Sequence, residues 1–511
     1  MSNKNIEDVY PVTSLQEGML FHSQLAPESG VYVTQIGCTL KGLNVDAFER
    51  AWQRVLERHP ILRTAFVWNN LEKPLQVVAR KVKLPLALHD WRDLSQAEQA
   101  QGFQDQLIED RRQGFKVTKP PLMRLSLFRI ADDAYKFFWS HHHLLIDGWS
   151  GSVLLGEVFN FYEAYRSGQE IELPLPCPYR DYLAWLQKRS LSEAEAYWRR
   201  ALKGFSTPTV IDLGQRDDAS ARQSPAPGSR RALLSRSATA ALKNLTRERQ
   251  LTMNTVVAGA WALLLSAYGG ERDVAFGATS SGRPPELPGV ESMIGLFINT
   301  LPVRVQVRPE ATVLSWLENL QSQLAEMRQY EHSPLVEVQG WSDVPRGTAL
   351  FESILVFENY PVAESLGARE WSVEIDEVNA VEKTNYPLTL GVAPGQQLSL
   401  QLIYDGSRFD EAAIERMLSH LTNLLGAISA DLNQRISSLN LLSDMERRRL
   451  LGPWSNTGID YSRSVSFFEL LERQVKRTPD KVAAVFGNNV LTFNQLNDKA
   501  GKLAELIKEL R

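Results

Sequence analysis

The 511-residue chain carries 56 Lys and Arg against 60 Asp and Glu, a net charge of −4, so it lacks the basic excess with which proteins grip nucleic acid. Hydrophobic residues make up 43% and charged residues 23%, which excludes general disorder and leaves enough apolar sequence for about three domain-sized units. Two cysteines, Cys38 and Cys177, allow at most one disulfide and no zinc set of their own, and the simplest compartment is a reducing cytoplasm.

The opening MSNKNIEDVYPV has neither the basic nor the apolar run of a signal peptide. Val45 to Arg58 places Phe48, Trp52, Val55 and Leu56 on one face of a predicted helix. Lys136 to Ile146 is short, aromatic and β-prone, hence a strand. From Trp149 to Tyr165 the apolar positions Val153, Leu154, Val158, Phe161, Tyr162 and Tyr165 fall at helical spacing. Gly214 to Ser229, rich in Gly, Pro, Ser and charge, reads as an exposed linker.

Beyond it, Leu251 to Gly270 is uncharged and long enough to cross a bilayer. Thr252, Asn254 and Ser266 interrupt it, Gly269 and Gly270 end it, and no flanking aromatic belt supports insertion. The expectation is a buried core helix over Leu251–Ala267, with no membrane contact. Strands are expected at Asp273–Ala278, Leu301–Val307 and Ser353–Tyr360. The reading is therefore α/β, with one lobe over 1–213, a linker over 214–229 and a second lobe over 230–447. A polar connector, 448–464, leads into 465–511. There one amphipathic helix, a strand pair around Val482–Leu491 and a closing helix, Asn494–Leu510, look like the opening of a longer domain that has been cut.

Three of the 8 histidines stand together, His141, His142 and His143, followed by Leu144-Leu145-Ile146-Asp147-Gly148-Trp149. Strand alternation puts His141 and His143 on one face and His142 on the other. Gly148 permits a tight turn from strand into helix, with Asp147 just before the helix and backbone N–H groups aimed at the space beside His143. An imidazole beside helix-start donors suits acyl transfer: the base moves a proton, and the donors hold the developing oxyanion. Two other readings stand beside this one. The histidines could be structural, or His142, His143 and Asp147 could ligate zinc. Adjacent strand histidines face apart, however, and no HExxH or Cys pair completes a set, so no metal is expected. Residues 1–450 also lack GxSxG, GxxxxGK[ST] and GxGxxG, the usual parts of serine or nucleotide chemistry.

SHHHLLIDGWS (Ser140–Ser150) resembles the HHxxxDG signature of condensation domains from non-ribosomal peptide synthetases. Further segments narrow the match, each in the family's order: YPVTSLQEGMLFHS (Tyr10–Ser23), RHPILRTAF (Arg58–Phe66), YRDYLAWL (Tyr179–Leu186) and FGATSSGRP (Phe276–Pro284). IGLFINTLPVR (Ile294–Arg304), YEHSPLVEVQ (Tyr330–Gln339) and LVFENYP (Leu355–Pro361) complete the series over roughly residues 6–445. LLGPWSNT (Leu450–Thr457), FFELLERQVKRTPDKVAAVF (Phe467–Phe486) and LTFNQLN (Leu491–Asn497) are similar to the linker and first segment of an adenylation domain, without its ATP-binding loop.

The resemblance implies two chloramphenicol-acetyltransferase-like lobes in a V-shaped pseudo-dimer with a central tunnel and one active site. It implies peptide-bond formation between a carrier-bound acyl or peptidyl thioester and the amine of a carrier-bound aminoacyl thioester. No cofactor of its own is expected, since substrates arrive on the 4'-phosphopantetheine arms of carrier proteins. His143 becomes the catalytic group, in a solvent-accessible tunnel, with His142 packed or hydrogen-bonded behind it. Asp147 is expected to pair with Arg63 for architecture, and Gly148 to give a turn and an amide donor. Trp149, Asn299 and Asn385 of the NYPL turn are weaker candidates for lining the tunnel, with a crossover segment coming from the second lobe.

The implied partners are an upstream donor carrier (in trans), a downstream acceptor carrier and the adjoining adenylation domain. The motifs look most like the class that takes a D-configured donor and an L acceptor. An initiating, fatty-acylating domain is the nearest competitor, because the chain begins at Met1 with no carrier ahead of it. An epimerase of the same fold, a non-catalytic recruitment domain and a free-standing acyl-CoA transferase are the remaining alternatives.

Overall fold

A computed structural model describes residues 5–26, 28–213, 227–358, 371–451, 466–487 and 489–510. The chain divides into two compact units, Met1–Ser443 and Asp444–Arg511. The first unit opens with β1 (Ile6–Pro11), α1 (Ser14–Leu25), β2 (Val33–Lys41), α2 (Val45–Arg58), β3 (Thr64–Val67), β4 (Leu75–Ala79) and β5 (Leu86–Asp90). Then come α3 (Gln96–Gln113), β6 (Met123–Arg129), β7 (Ala134–His142) and α4 (Gly148–Arg166). Its later part holds β8 (Pro227–Leu233), α5 (Arg236–Glu248), α6 (Met253–Gly269), β9 (Asp273–Ser280), β10 (Asn299–Gln306) and β11 (Ser353–Phe357). It closes with β12 (Glu374–Val381), β13 (Leu388–Ala393), β14 (Ser399–Asp405) and α7 (Glu411–Ala430).

Two open mixed sheets organise this unit. The first runs β12-β2-β7-β6-β5 and the second β10-β9-β11-β13-β14-β8, while β1-β4-β3 form a smaller third sheet. These are the two chloramphenicol-acetyltransferase-like lobes. The outermost strand of the first sheet is a late arrival: β12 pairs antiparallel with β2, Val381 opposite Gln35 and Glu374 opposite Lys41. The second lobe thus completes the first lobe's sheet through backbone hydrogen bonds, the strongest tie available at a sheet edge.

The helices form where sequence and capping agree. Asn44 caps α2 by accepting from Ala47 N–H, and Phe48, Ala51, Trp52, Val55 and Leu56 make the buried face. Trp52 sits 5.0 Å from the ring of Trp139 and Phe48 sits 5.3 Å from Phe137, which locks the helix onto β7. The apolar run after the linker is α6, buried from Thr255 through Leu265 in the second core. Among the described residues no single helix is long and apolar enough to cross a membrane.

The boundaries drawn from sequence need correction. Residues 214–226 of the expected linker lie outside the described residues, and 227–229 belong to β8, paired with β14. The cores also exchange segments across the division. Ala194, Tyr197, Trp198 and Ile211, which precede the linker, pack in the second core, whereas Val290, Met293, Ile294 and Phe297 pack in the first. Large apolar side chains go where a core can cover them, and here that is across the lobe boundary. Of the strand expected over Ser353–Tyr360, Ser353–Phe357 forms, and residues 359 and 360 lie outside the described residues.

In the second unit, a helix over Asp444–Leu451 and the helices Phe467–Arg477 (α8) and Phe493–Glu509 (α9) flank a hairpin of β15 (Val482–Phe486) and β16 (Asn489–Thr492). The compact division falls at Ser443, four residues before the end of the second lobe as read from sequence. Most of the connector, 452–464, lies outside the described residues.

Candidate active site

The histidine triplet enters along β7, the centre strand of the first sheet, where Val33 is the β2 partner of His142 and Met123 the β6 partner of His141. His141 stacks on Trp139 with ring centroids 4.4 Å apart. Burial, followed by the charges of His143 and His142, holds its pKa well below the ordinary value, so it is a neutral core residue.

His142 is also buried, but its hydrogen bonds define it. Leu144 N–H donates to its Nδ1 (3.2 Å), so Nε2 carries the proton and donates to Ser23 Oγ (3.2 Å), which in turn donates to Met19 carbonyl (2.7 Å). Burial and then the charge of His143 push its pKa down to about 3. His142 is fixed as a neutral prop against α1.

β7 stops at His142, earlier than the sequence suggests, so alternation does not run on to His143, whose ring is set by the turn that follows. His143 N–H donates to Tyr32 carbonyl (2.8 Å), and Tyr32 N–H donates to Lys383 carbonyl (3.0 Å). Tyr32 is therefore a two-sided backbone clamp, held at φ +61°, a conformation uncommon outside glycine. The clamp brings Glu382, just past β12, against the imidazole: Glu382 Oε1 lies 3.1 Å from His143 Nε2. His143 is only 6% exposed, so the ring does not stand in open solvent as expected. Burial, the largest single influence, pulls its pKa down, but the charge and hydrogen bond of Glu382, with a bond to its own backbone and the Asp147 charge, together lift it to about 9. Nδ1 is buried as well.

Asp147 is built into the junction of the lobes. Its Oδ1 accepts from Ser150 N–H (2.8 Å) as the N-cap of α4, and its Oδ2 accepts from Phe297 N–H (3.0 Å). Asp147 N–H donates to Gly295 carbonyl (3.1 Å), which also accepts from Ser150 Oγ (2.7 Å). The cation facing it is Arg283, whose Nη2 lies 3.4 Å from Oδ1 and also donates to Ser150 Oγ at 2.8 Å. The Arg283 guanidinium stacks 4.0 Å over Phe297 and donates to the carbonyls of Val290 and Met293.

The expected pair of Arg63 with Asp147 is absent. Arg63 ends a short 3-10 helix and turns toward the small sheet, where it meets Glu7 (2.6 Å) and donates to the carbonyls of Leu56 and Ala79. It is buried, and those partners satisfy it without Asp147.

Gly148 is the exposed first residue of α4. Trp149 donates from Nε1 to Glu291 carbonyl (2.9 Å), which ties α4 to the second lobe. Asn299 is occupied as a clasp, its amide donating to the carbonyls of Glu331 (2.8 Å) and Ser333 (2.7 Å). Asn385 is exposed beside the histidine turn: its Oδ1 accepts from Tyr32 Oη (2.9 Å), and its Nδ2 lies 3.4 Å from His22 Nε2.

The sequence reading missed Glu382, Tyr32 and Arg283. Arg283 sits inside FGATSSGRP, and Glu382 lies two residues before TNYPL, so both were within reach as charged residues next to motif segments. The site thus offers a buried imidazolium with one nitrogen on a carboxylate, beside a helix start whose cap is locked by the other lobe. Among the described residues no cluster of three or more His, Cys, Asp or Glu is arranged to hold a metal ion.

Comparison with known proteins gives the family of the chain. The family model described as "Condensation domain" matches residues 6–451. A linear gramicidin synthase chain of Brevibacillus parabrevis is 47% identical over 506 residues, covering 99% of this chain and 10% of that protein. Bacitracin synthase 3 of Bacillus licheniformis is 34% identical, covering 99% of this chain and 8% of the relative. The chain therefore spans about a tenth of the length of these curated relatives. Among solved structures, the starter condensation domain of rhizomide synthetase in complex with C8-CoA superposes with a TM-score of 0.71 at 19% identity, covering 85% of this chain and 98% of that one. At that identity the likeness speaks for the fold alone. Family match, relatives and fold agree, and the chain belongs to the condensation-domain family of amide-bond-forming acyltransferases in non-ribosomal peptide synthesis.

Proposed function

We propose that this chain joins a donor acyl or peptidyl thioester to the amine of an acceptor aminoacyl thioester, each held on the 4'-phosphopantetheine arm of a carrier protein. The acceptor nitrogen forms a bond to the donor carbonyl carbon, the carbon–sulfur bond breaks, and the donor thiol leaves with the proton that the amine gives up. One observation carries the reading: His143 sits where the end of β7, the Asp147-capped start of α4 and the chain crossing from the second lobe converge.

The charge of His143 shapes its part. With its pKa lifted to about 9, the ring is a cation at neutral pH and serves better to position and stabilise charge than to abstract a proton. A free α-amine with a pKa of roughly 7.7–8 already supplies a useful neutral fraction. Alignment of two tethered substrates is worth an effective molarity of about 10⁵ M or more, against about 10²–10⁴-fold for a general base. Gly148, at the exposed helix start, is the amide we assign to the developing oxyanion, and Trp149, Asn299 and Asn385 are weaker candidates for the wall of a substrate tunnel.

The finer reading is a D-donor, L-acceptor domain acting in the cytoplasm. It works between a donor carrier and an acceptor carrier, and residues 465–511 resemble the start of an adenylation domain. The motif segments support the stereochemical class, and the similarity of Phe467–Phe486 and Leu491–Asn497 to an adenylation start supports the neighbour. Incubating the chain with carriers loaded with L- or D-aminoacyl donors and an L-aminoacyl acceptor, and following dipeptidyl thioester by mass spectrometry, tests both levels. Product from the D donor alone supports the full reading, product from fatty-acyl donors alone supports an initiating domain, and epimerised donor without product sinks condensation.

A further inference from the structure

Glu382 is the unexpected member of the site. It lies past the end of β12, and its position follows from backbone geometry rather than from a chance surface contact. Val381 is in register with Gln35 in β2, Lys383 carbonyl accepts from Tyr32 N–H, and Tyr32 carbonyl accepts from His143 N–H. Three consecutive backbone ties therefore fix the separation between residue 382 and residue 143. The ends of the segment are also held: Lys383 Nζ donates to Ser29 carbonyl (3.3 Å), and Asn385 accepts from Tyr32 Oη (2.9 Å). The carboxylate engages Nε2, while Nδ1 is buried.

We propose that Glu382 is a positioning residue for His143: its carboxylate, carried in by the chain that crosses from the second lobe, fixes the imidazole through Nε2 and makes the ring's state depend on that crossing. The proposal rests on the reading of His143 as the residue at the reacting centre.

The other groups around the ring leave Glu382 as the dominant partner. On β7, just before it, His141 and His142 are neutral. At the start of α4, Asp147 adds a more distant negative charge already occupied by Arg283. Before β2, Tyr32 is un-ionised, its pKa raised by burial. On α1, His22 faces Asn385, and burial lowers its pKa. Past β12, Lys383 is directed to Ser29, and Tyr386 is un-ionised. After β11, Glu358 has its pKa pushed up to about 7 by burial and then by the Glu382 charge. Without the Glu382 charge, burial is the largest influence left on His143, and it acts in the opposite direction.

The test uses the full chain and two variants, Glu382→Gln and Glu382→Asp. Titrating the His143 Cε1–H signal by NMR, assigned by its absence in His143→Gln, should give a midpoint near 9 in the parent and a clearly lower one in Glu382→Gln. Glu382→Asp should stay within about one unit of the parent. In single-turnover condensation with pre-loaded carriers, the pH limb that disappears in His143→Gln should shift with the NMR midpoint. A merely structural role would lower the rate by the same factor at every pH. An unmoved His143 midpoint in Glu382→Gln, or a rate loss independent of pH, overturns the proposal. If the parent forms no dipeptidyl thioester, the functional reading fails, while the titration still decides the pairing. Because Glu382 is 38% exposed at its side chain, Glu382→Gln is expected to fold, and Glu382→Asp keeps the test open if it does not.

Discussion

The Arg283 guanidinium lies 3.4 Å from Asp147 Oδ1 across 136 residues of sequence, and this contact bolts the end of the histidine turn to the second lobe. Both side chains are nearly inaccessible, and the same carboxylate caps α4 and accepts from Phe297 N–H. Asp147 is thus an architectural residue with a partner other than the one its motif suggested.

Asp147→Ala should destabilise the chain by roughly 3–5 kcal/mol, because it leaves a buried arginine charge without its counter-ion. A double-mutant cycle read by urea denaturation should couple Asp147 to Arg283 by roughly 0.5–3 kcal/mol, while Asp147 and Arg63 should add within about 0.5 kcal/mol. Coupling to Arg63 instead of Arg283 would restore the pairing that the sequence suggested.

For His143→Ala, single-turnover condensation should slow about 10²-fold or more. The substitution should also cost roughly 1–3 kcal/mol, since it removes a charged hydrogen bond at a site only 6% exposed. His142→Ala run in parallel should act mainly on stability through the lost tie to Ser23. Near-normal rates for His143→Ala and collapse for His142→Ala would exchange their roles.

The histidines also predict a pH window for stability. His143, raised in the folded state, contributes stability that is fully present below its unfolded pKa of about 6.5 and is lost as pH rises through about 9. His142, depressed to about 3, works the other way: its contribution is present above about 6.5 and is lost as pH falls toward 3. The stability gap between the parent and His143→Gln should therefore narrow from pH 6.5 to 9.5 in urea titrations. A gap that widens over that range would reverse the assigned sign.

Deleting Phe467–Arg511 should leave both the melting transition of the first unit and condensation turnover essentially unchanged, because the histidine turn and both cores lie within Met1–Ser443. A folded, monodisperse truncation that cannot condense would make the second unit part of the catalytic machinery.

The parts of the fold with strong periodicity were legible from the chain alone. The α2 stripe of Phe48, Trp52, Val55 and Leu56 and the uncharged run of α6 allow only one comfortable burial each. Asp147 before a helix start was equally readable, because capping depends on neighbours in sequence. What sequence could not show were partners supplied from far along the chain. Which arginine meets Asp147, and that Glu382 meets His143, depends on the register of β12 on β2 and on the path of residues 283–297. The exchange of Tyr197 and Trp198 into the second core escaped for the same reason: an amphipathic helix shows that it has an apolar face, not which core will cover it.

The addition of β12 to the first sheet also bears on synthesis. Residues 33–41 leave the ribosome long before residues 374–381. At about 5–20 residues per second, the outer edge of β2 waits on the order of tens of seconds for its partner. During that interval a nine-residue strand, Val33–Lys41, presents unpaired backbone groups on a sheet whose core is otherwise ready to form. A nascent chain stalled before residue 374 should be prone to associate with other strands through that edge, and the danger ends only when the segment that delivers Glu382 has emerged.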